Sequence, residues 1–280
     1  MEADCKRDGE AALPGSPAGG EARAAQVLRL AVYAGETLLE NGGEISRVQD
    51  TMERIARAYG QAGFHVYVLT NGLFACVDGG QQLGTSLRFI PQAATHLGRI
   101  MAVNALSRAI AAGEVEMEDA FGRIEQIRAM PSKRAAVRTL ACGVGSACFA
   151  YLFGGSWVDA AAALAVGLAL EPLRIVLERA RAGKFVSNLL GAGLVAAVSL
   201  LYAQLLGALG AACSLDKIII GGIIPLVPGI ALTTGIRDVA GGDYLSGTIR
   251  AIDAVLVAVA IACGVGFVLK VGALIPGVTV

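Results

Sequence analysis

Four long stretches in the second half of the chain contain no Asp, Glu, Lys or Arg, and they constrain the fold more than any other feature. They cover residues 139–158, 185–215, 218–236 and 254–269. A helix needs about 20 mostly apolar residues to cross the hydrocarbon core of a bilayer. The runs therefore predict four transmembrane helices and exclude a globule that is fully solvated by water.

A fifth span is predicted at residues 157–176, although Asp159 and Glu171 bound a short uncharged centre. With five spans, nine basic residues fall on the side of the N-terminal region, and only Lys217 and Lys270 fall on the other side. Because Lys and Arg concentrate in cytoplasmic loops, we expect a cytoplasmic N-terminus and an outside C-terminus. The nine residues are Lys133, Arg134, Arg138, Arg174, Arg179, Arg181, Lys184, Arg237 and Arg250.

Charge divides the chain into regions with different solvents. Of the 46 charged residues, 30 lie in the first 135 positions and 16 in the last 145. We therefore predict a disordered tail at 1–20, a cytosolic α+β domain at 21–135 and a transmembrane domain at 136–280, with spans at 136–154, 157–176, 185–209, 217–236 and 251–270. The 23 basic residues balance the 23 acidic ones, so the chain lacks the basic surplus typical of nucleic-acid binders.

Hydrophobic periodicity predicts four helices and a small antiparallel sheet in the cytosolic domain. Apolar residues recur at helical spacing around 28–39 and 44–59, and two further helices are predicted at 93–111 and 116–129. Short β-rich segments at 64–69, 73–77 and 83–90 are separated by turn residues and predict the strands. The fold class is thus a mainly α membrane protein with a five-helix transmembrane bundle.

The fourth span contains two prolines near its centre, in the segment Gly221-Gly222-Ile223-Ile224-Pro225-Leu226-Val227-Pro228-Gly229. Each proline lacks a backbone donor and clashes with the preceding helical turn. A broken helix at membrane depth is typical of transporter substrate sites. We predict a site at Pro225, Pro228 and Gly229, where a half-helix N-terminus would attract a carboxylate, with Thr233 and Thr234 one turn further on. The alternative is a kinked packing helix whose threonines bond back to their own backbone.

Charged residues near the last two spans are candidates for gating or proton coupling. Arg237 and Asp238 are predicted to form a gate or ion pair in the loop between these spans. Asp253, at the start of the fifth span, is a candidate proton carrier because a carboxyl at low dielectric has a raised pKa. Glu171, which precedes Pro172, is a further candidate that faces the transport pathway. The alternatives are loop solvation for Arg237 and Asp238, a helix-start charge for Asp253 and, for Glu171, an interfacial position near the inner leaflet.

Motifs that carry enzyme chemistry are absent from the sequence. It has no HExxH, GxSxG or P-loop motif, and only two histidines, His65 and His96. Its six cysteines include no CxxC pair. We therefore expect no catalytic activity, no metal and no cofactor.

Several segments, in order, resemble the bacterial threonine/serine exporter family. In the first half they are Gly35-Glu36-Thr37-Leu38-Leu39-Glu40-Asn41-Gly42-Gly43-Glu44, Thr51-Met52-Glu53-Arg54-Ile55-Ala56 and Val103-Asn104-Ala105-Leu106-Ser107-Arg108. In the second half they are Pro228-Gly229-Ile230-Ala231-Leu232-Thr233-Thr234, Arg237-Asp238 and Gly242-Asp243-Tyr244-Leu245-Ser246-Gly247. Gly43 and Ile45 depart from the family pattern, in which Ala and Thr are common.

The resemblance implies the larger, five-span subunit of a two-component exporter in the bacterial inner membrane. It implies a smaller membrane subunit as partner, proton-coupled export and a small carboxylate substrate, either threonine or serine or a dicarboxylate such as succinate. Close-spaced glycines in the spans are compatible with a homo-oligomer. The alternative from another class is a membrane-anchored regulatory or scaffold protein whose cytosolic domain binds a ligand or partner.

Overall fold

The computed structural model describes residues 18–78, 83–90, 95–210 and 212–275. The chain divides into two compact units, residues 1–131 and 132–280. Most of the predicted tail at 1–20 lies outside the described residues, and its last three residues begin the first helix. The first two residues of the helix predicted at 93–111 also lie outside them.

The N-terminal unit has four described helices and a three-stranded antiparallel sheet in the order β1-β2-β3. The sheet predicted from the sequence is confirmed, and each strand lies within one residue of its predicted bounds. In chain order the elements are α1 Ala18–Glu40, α2 Ile45–Ala58, β1 Phe64–Leu69, β2 Gly72–Asp78, β3 Leu83–Phe89, α3 Leu97–Ala111 and α4 Met117–Arg128.

The core of this unit lies around α1, which packs against the other three helices and the sheet. Leu30 and Leu38 of α1 are fully buried. Because Gly35 has no side chain, the thioether of Met52 packs directly against the α1 backbone. The turn after α1 requires Gly42, whose φ of +83° lies in the left-handed region that favours glycine.

The described part of the membrane unit consists of helices and short connections, as predicted. Four of its helices are long and apolar enough to cross a membrane, and a bent pair of shorter helices makes up to five spans among the described residues. In chain order the elements are α5 Ala135–Leu152, α6 Trp157–Arg179, α7 Lys184–Ala208, α8 Leu215–Ile223, a 3₁₀ turn at Ile224–Leu226, α9 Gly229–Ala240 and α10 Tyr244–Gly272.

Small residues allow the membrane helices to pack closely. A Cβ on Gly167 of α6 would lie 2.7 Å from the Cys142 carbonyl of α5, so the two helix backbones are nearly in contact. Helix α8 packs against α5, α6 and α7, whereas α9 packs against α10. The two helices of the bent pair, α8 and α9, therefore have different neighbours.

The predicted loop between the fourth and fifth spans is wrong in extent. Helix α9 continues to Ala240 and α10 begins at Tyr244, so only residues 241–243 connect them. Gly242 has a φ of +91°, and the Asp243 carboxylate caps α10 by accepting the Ser246 N–H at 3.1 Å. Two strong local stop and start signals thus make the turn short. The charges assigned to a loop lie on helices instead.

Candidate functional site

The segment predicted to form the fourth span is broken at the predicted prolines. The helix pair on either side is bent by 58°. Pro225 lies in the 3₁₀ turn, where the Val227 N–H donates to the Ile224 carbonyl at 3.1 Å. Pro228 precedes α9, and the Gly229 N–H donates to the Val227 carbonyl at 2.9 Å. The tighter turn thus gives the Ile224 carbonyl a donor that a continuous helix could not supply, because its partner four residues on is Pro228, which has no N–H.

The two threonines of α9 bond back to their own helix, which is the arrangement of the alternative interpretation. The Thr233 hydroxyl donates to the Gly229 carbonyl at 3.0 Å, and the Thr234 hydroxyl donates to the Ile230 carbonyl at 2.7 Å. Thr234 also accepts a hydrogen bond from the Arg250 guanidinium of α10 at 3.0 Å. One of the two predicted polar side chains therefore belongs to a contact between helices.

Asp238 and Arg250 form a buried ion pair between α9 and α10. Arg250 Nε lies 3.3 Å from Asp238 Oδ2, and the two side chains are only 12% and 6% exposed. The glycines Gly235 and Gly247 bring the helices together here, because a Cβ on Gly247 would lie 2.7 Å from the Gly235 carbonyl. Thr234, Asp238 and Arg250 thus make one polar cluster, which we call the α9–α10 cluster.

Arg237, which was predicted to form a gate or ion pair with Asp238, lies on a different face of α9 from Asp238. Arg237 is exposed, whereas Asp238 is buried. Because successive helical residues are separated by about 100°, the two side chains leave α9 in different directions. The ion pair of Asp238 with Arg250 links α9 to α10.

Asp253, the predicted proton carrier, lies beside a lysine of a neighbouring helix. Its carboxylate is 52% exposed and lies 3.4 Å from the Lys184 ammonium of α7. It is also well inside α10 and not at the start of a span. The buried carboxylate of α9 is Asp238, which lies in the last turn of that helix.

Glu171 is buried in an ionic cluster between α5 and α6. Its carboxylate lies 2.6 Å from Arg138 and 3.3 Å from Arg174. Arg138 also contacts Glu178 at 3.1 Å. Arg138 near the start of α5 and Arg174 near the end of α6 therefore both pair with Glu171, and the Glu171 side chain is only 5% exposed.

Two functional candidates were not identified from the sequence. Arg250 was assigned to a loop, although its spacing of 12 residues from Asp238 could have suggested a helical hairpin. Asp159 was treated as a span boundary, but it is 1% exposed and accepts the Ser214 N–H at 2.7 Å. It also forms a capping box with Ser156, a Ser-x-x-Asp pattern that is readable in the sequence.

The described residues contain no group of three or more His, Cys, Asp or Glu side chains that could hold a metal ion. The polar chemistry of the membrane unit is instead that of paired opposite charges between helices. In the α9–α10 cluster, a guanidinium offers several N–H donors, a carboxylate offers acceptors, and a hydroxyl can do both.

The long apolar helices, the bent pair and the ion pairs inside the bundle define a multi-pass membrane protein. A family model, ThrE, with the description "Putative threonine/serine exporter", matches residues 29–272. The chain belongs to this exporter family. No curated protein and no solved structure matched the chain.

Proposed function

We propose that the chain is a subunit of an inner-membrane secondary transporter that exports threonine or serine, and that the substrate binds between Asp238 and Arg250. The observation that supports this most strongly is the buried pair that joins α9, the second helix of the bent pair, to α10. A free amino acid carries a carboxylate and an ammonium group a few bonds apart. Arg250 supplies the donor for the first group and Asp238 supplies the acceptor for the second.

The pair is closed in the structure, so the substrate must separate it. The Arg250–Asp238 contact is an ion pair at 3.3 Å, whereas a substrate carboxylate can form bidentate hydrogen bonds with a guanidinium, which are among the stronger ones in proteins. The substrate carboxylate replaces Asp238 on Arg250, and the substrate ammonium replaces Arg250 beside Asp238. Each buried charge therefore keeps an opposite charge, which avoids the penalty of an unpaired ion at low dielectric. Thr234, already bonded to Arg250, is placed to orient the substrate.

The same chemistry favours an amino acid over a dicarboxylate. The second carboxylate of succinate would face Asp238, and like charges in a buried site repel strongly. A hydroxy amino acid adds a group that can bond with Thr234. Succinate stays a candidate only if another cation from a partner subunit completes the site.

Proton coupling follows from competition at Asp238. A proton and the substrate ammonium both neutralise this carboxylate, so only one of them is bound at a time. If Asp238 faces the two sides of the membrane alternately, inward proton movement drives outward substrate movement. The bend at Pro228 and Gly229 supplies a pivot, since α9 contacts α10 while α8 contacts three other helices.

We further propose a cytoplasmic N-terminus, an outside C-terminus and a smaller membrane subunit as partner, with a homo-oligomer as a further option. Arg138 lies near the start of α5, Arg179 at the end of α6 and Lys184 at the start of α7. If consecutive helices cross the membrane in opposite directions, these three helix ends lie on one side, which the positive-inside rule makes cytoplasmic. Ile230 and Ile236 of α9 are 70% and 62% exposed within this chain. Lipid or a partner must cover them. A neighbouring reading frame for a short protein of about four or five spans, as the resemblance implies, would support the two-component assembly.

The scaffold alternative is supported by a groove in the N-terminal unit. Its volume is about 820 Å³, and it lies between α1, α4 and β3. Two arginines and two glutamates line it, together with Tyr33 and Phe121; the charged residues are Arg29, Glu36, Arg88 and Glu125. Such a mixture suits a small zwitterion that regulates transport. Ligand binding with no transport by the chain and its partner would favour this alternative.

Transport assays with variants of the cluster test the proposal. Inverted membrane vesicles convert export into uptake of radiolabelled threonine. We expect Arg250→Ala to abolish uptake and Asp216→Asn, an exposed acid at the start of α8, to leave it unchanged. Normal uptake by Arg250→Ala vesicles that contain normal amounts of protein would overturn the site.

A further inference from the structure

A basic pocket lies between the start of α5 and the end of α6, apart from the α9–α10 cluster. Its volume is about 360 Å³. Three of its lining side chains are cationic and one is acidic; the full lining is Lys133, Ala135, Arg138, Ile175, Glu178 and Arg179. The pocket therefore has a surplus of positive charge at one end of two membrane helices.

The cations of the pocket differ in how they are held. Arg138 is fixed by Glu171 at 2.6 Å and by Glu178 at 3.1 Å. Lys133 and Arg179 are exposed and form no ion pair with any residue in the described part of the chain. Arg138 is thus held in place by its ion pairs with Glu171 and Glu178. The side chains of Lys133 and Arg179 remain available to bind an anion.

The surroundings of the pocket identify the kind of anion. Val137 and Leu140 on α5 and Val176 on α6 are large apolar side chains that are more than half exposed. They lie within two turns of the pocket on the same two helices. A ligand with a charged head and an apolar tail fits this arrangement, because basic pockets between membrane helices on the cytoplasmic side bind anionic lipid headgroups.

We propose that this pocket binds the phosphate group of an anionic phospholipid, and that Lys133 and Arg179 hold the phosphate next to Arg138. The proposal requires α5 and α6 to lie in the membrane, but it does not depend on the transport cycle. A soluble phosphate has the same head chemistry but lacks the acyl chains that the exposed apolar residues would contact. The first turn of α5, which has no side-chain cap, adds unpaired N–H groups near the phosphate.

Native mass spectrometry of the purified full chain tests the site with two matched double variants. Lys133→Gln with Arg179→Gln removes two charges from the pocket. Arg134→Gln with Arg181→Gln removes two charges from exposed residues in the same two segments that do not line it. The probes are phosphatidylglycerol, phosphatidylcholine and inorganic phosphate, each titrated separately.

We expect one phosphatidylglycerol to be retained by the unaltered chain and to bind roughly thirtyfold more weakly to the pocket variant. The control variant should bind within about twofold of the unaltered chain. Equal weakening of both variants would overturn the proposal, since it would mean diffuse surface attraction. Equal affinity for phosphatidylcholine would also overturn it, and binding of inorganic phosphate as tight as that of the lipid would contradict the lipid source. None of these readouts requires transport, so failure here leaves the proposed function standing.

Discussion

Arg250 of α10 contacts Asp238 of α9 at 3.3 Å, and through the same guanidinium it donates a hydrogen bond to Thr234 at 3.0 Å. This contact links the helix that follows the proline break to the last helix of the chain. Because both charged side chains are nearly buried, separating the pair has a high free-energy cost unless another charged group replaces each partner.

Removal of one member of the pair should destabilise the protein and stop transport. Arg250→Ala leaves the Asp238 carboxylate buried without this partner, which costs about 3–5 kcal/mol. We expect a lower Tm and no threonine uptake. The double variant Asp238→Asn with Arg250→Gln replaces both charges by amides and should recover most of the Tm but none of the transport. Recovery of transport by this double variant would show that the charges serve only stability.

The bend of the fourth span should be needed for transport but not for insertion. Replacement of Pro228-Gly229 by Ala-Leu restores a backbone donor and favours a continuous helix. We expect normal amounts of protein in the membrane and loss of uptake. Pro172→Ala is a matched control, because Pro172 lies inside the continuous helix α6. Unchanged uptake by the Ala-Leu variant would remove the pivot from the mechanism.

The close approach of α9 and α10 should be sensitive to a single methyl group. In Gly247→Ala the new Cβ would lie 2.5 Å from a Val239 methyl and 2.7 Å from the Gly235 carbonyl. Overpacking of this kind costs about 1–3 kcal/mol. We expect a lower Tm and weaker threonine binding. The control is Gly266→Ala on the same helix, where nothing lies within 4 Å of the added Cβ, and it should have no effect on either measurement.

The orientation in the membrane can be tested with reporter fusions. Since basic residues favour the cytoplasmic side, an alkaline phosphatase fused after residue 275 should be active outside. The same reporter fused within residues 241–243, between α9 and α10, should be inactive. The reverse pattern would invert the topology and would reassign the phosphate pocket to the outer leaflet.

The sequence predicted those features that depend on local pattern. Charge-free runs located the long helices because hydrocarbon excludes unpaired charges, and alternating apolar residues located the sheet. The proline break was also predictable, since Pro225 and Pro228 each lack a backbone donor. The turn between α9 and α10 was missed because charges were assumed to require a loop, whereas Asp238 and Arg250 neutralise each other on helices.

The partners of individual side chains were not predictable. Asp253 and Asp238 look alike in the sequence, but helix packing buries one and leaves the other beside Lys184 at a half-exposed position. Glu171 is followed by a proline in the sequence, and only the pairing of α5 with α6 shows that Arg138 reaches it. Long-range contacts of this kind depend on the register between helices, which a local pattern does not encode.

The most direct test of the account is the response of threonine uptake to a pH gradient in inverted vesicles that contain the chain and its partner. The account predicts accumulation driven by an acidic interior for the unaltered protein and for Asp216→Asn. It predicts no response to the gradient for Asp238→Asn, in which no proton can compete with the substrate ammonium. An unchanged response in Asp238→Asn, or its loss in Asp253→Asn alone, would contradict the assignment of Asp238 as the coupling carboxylate.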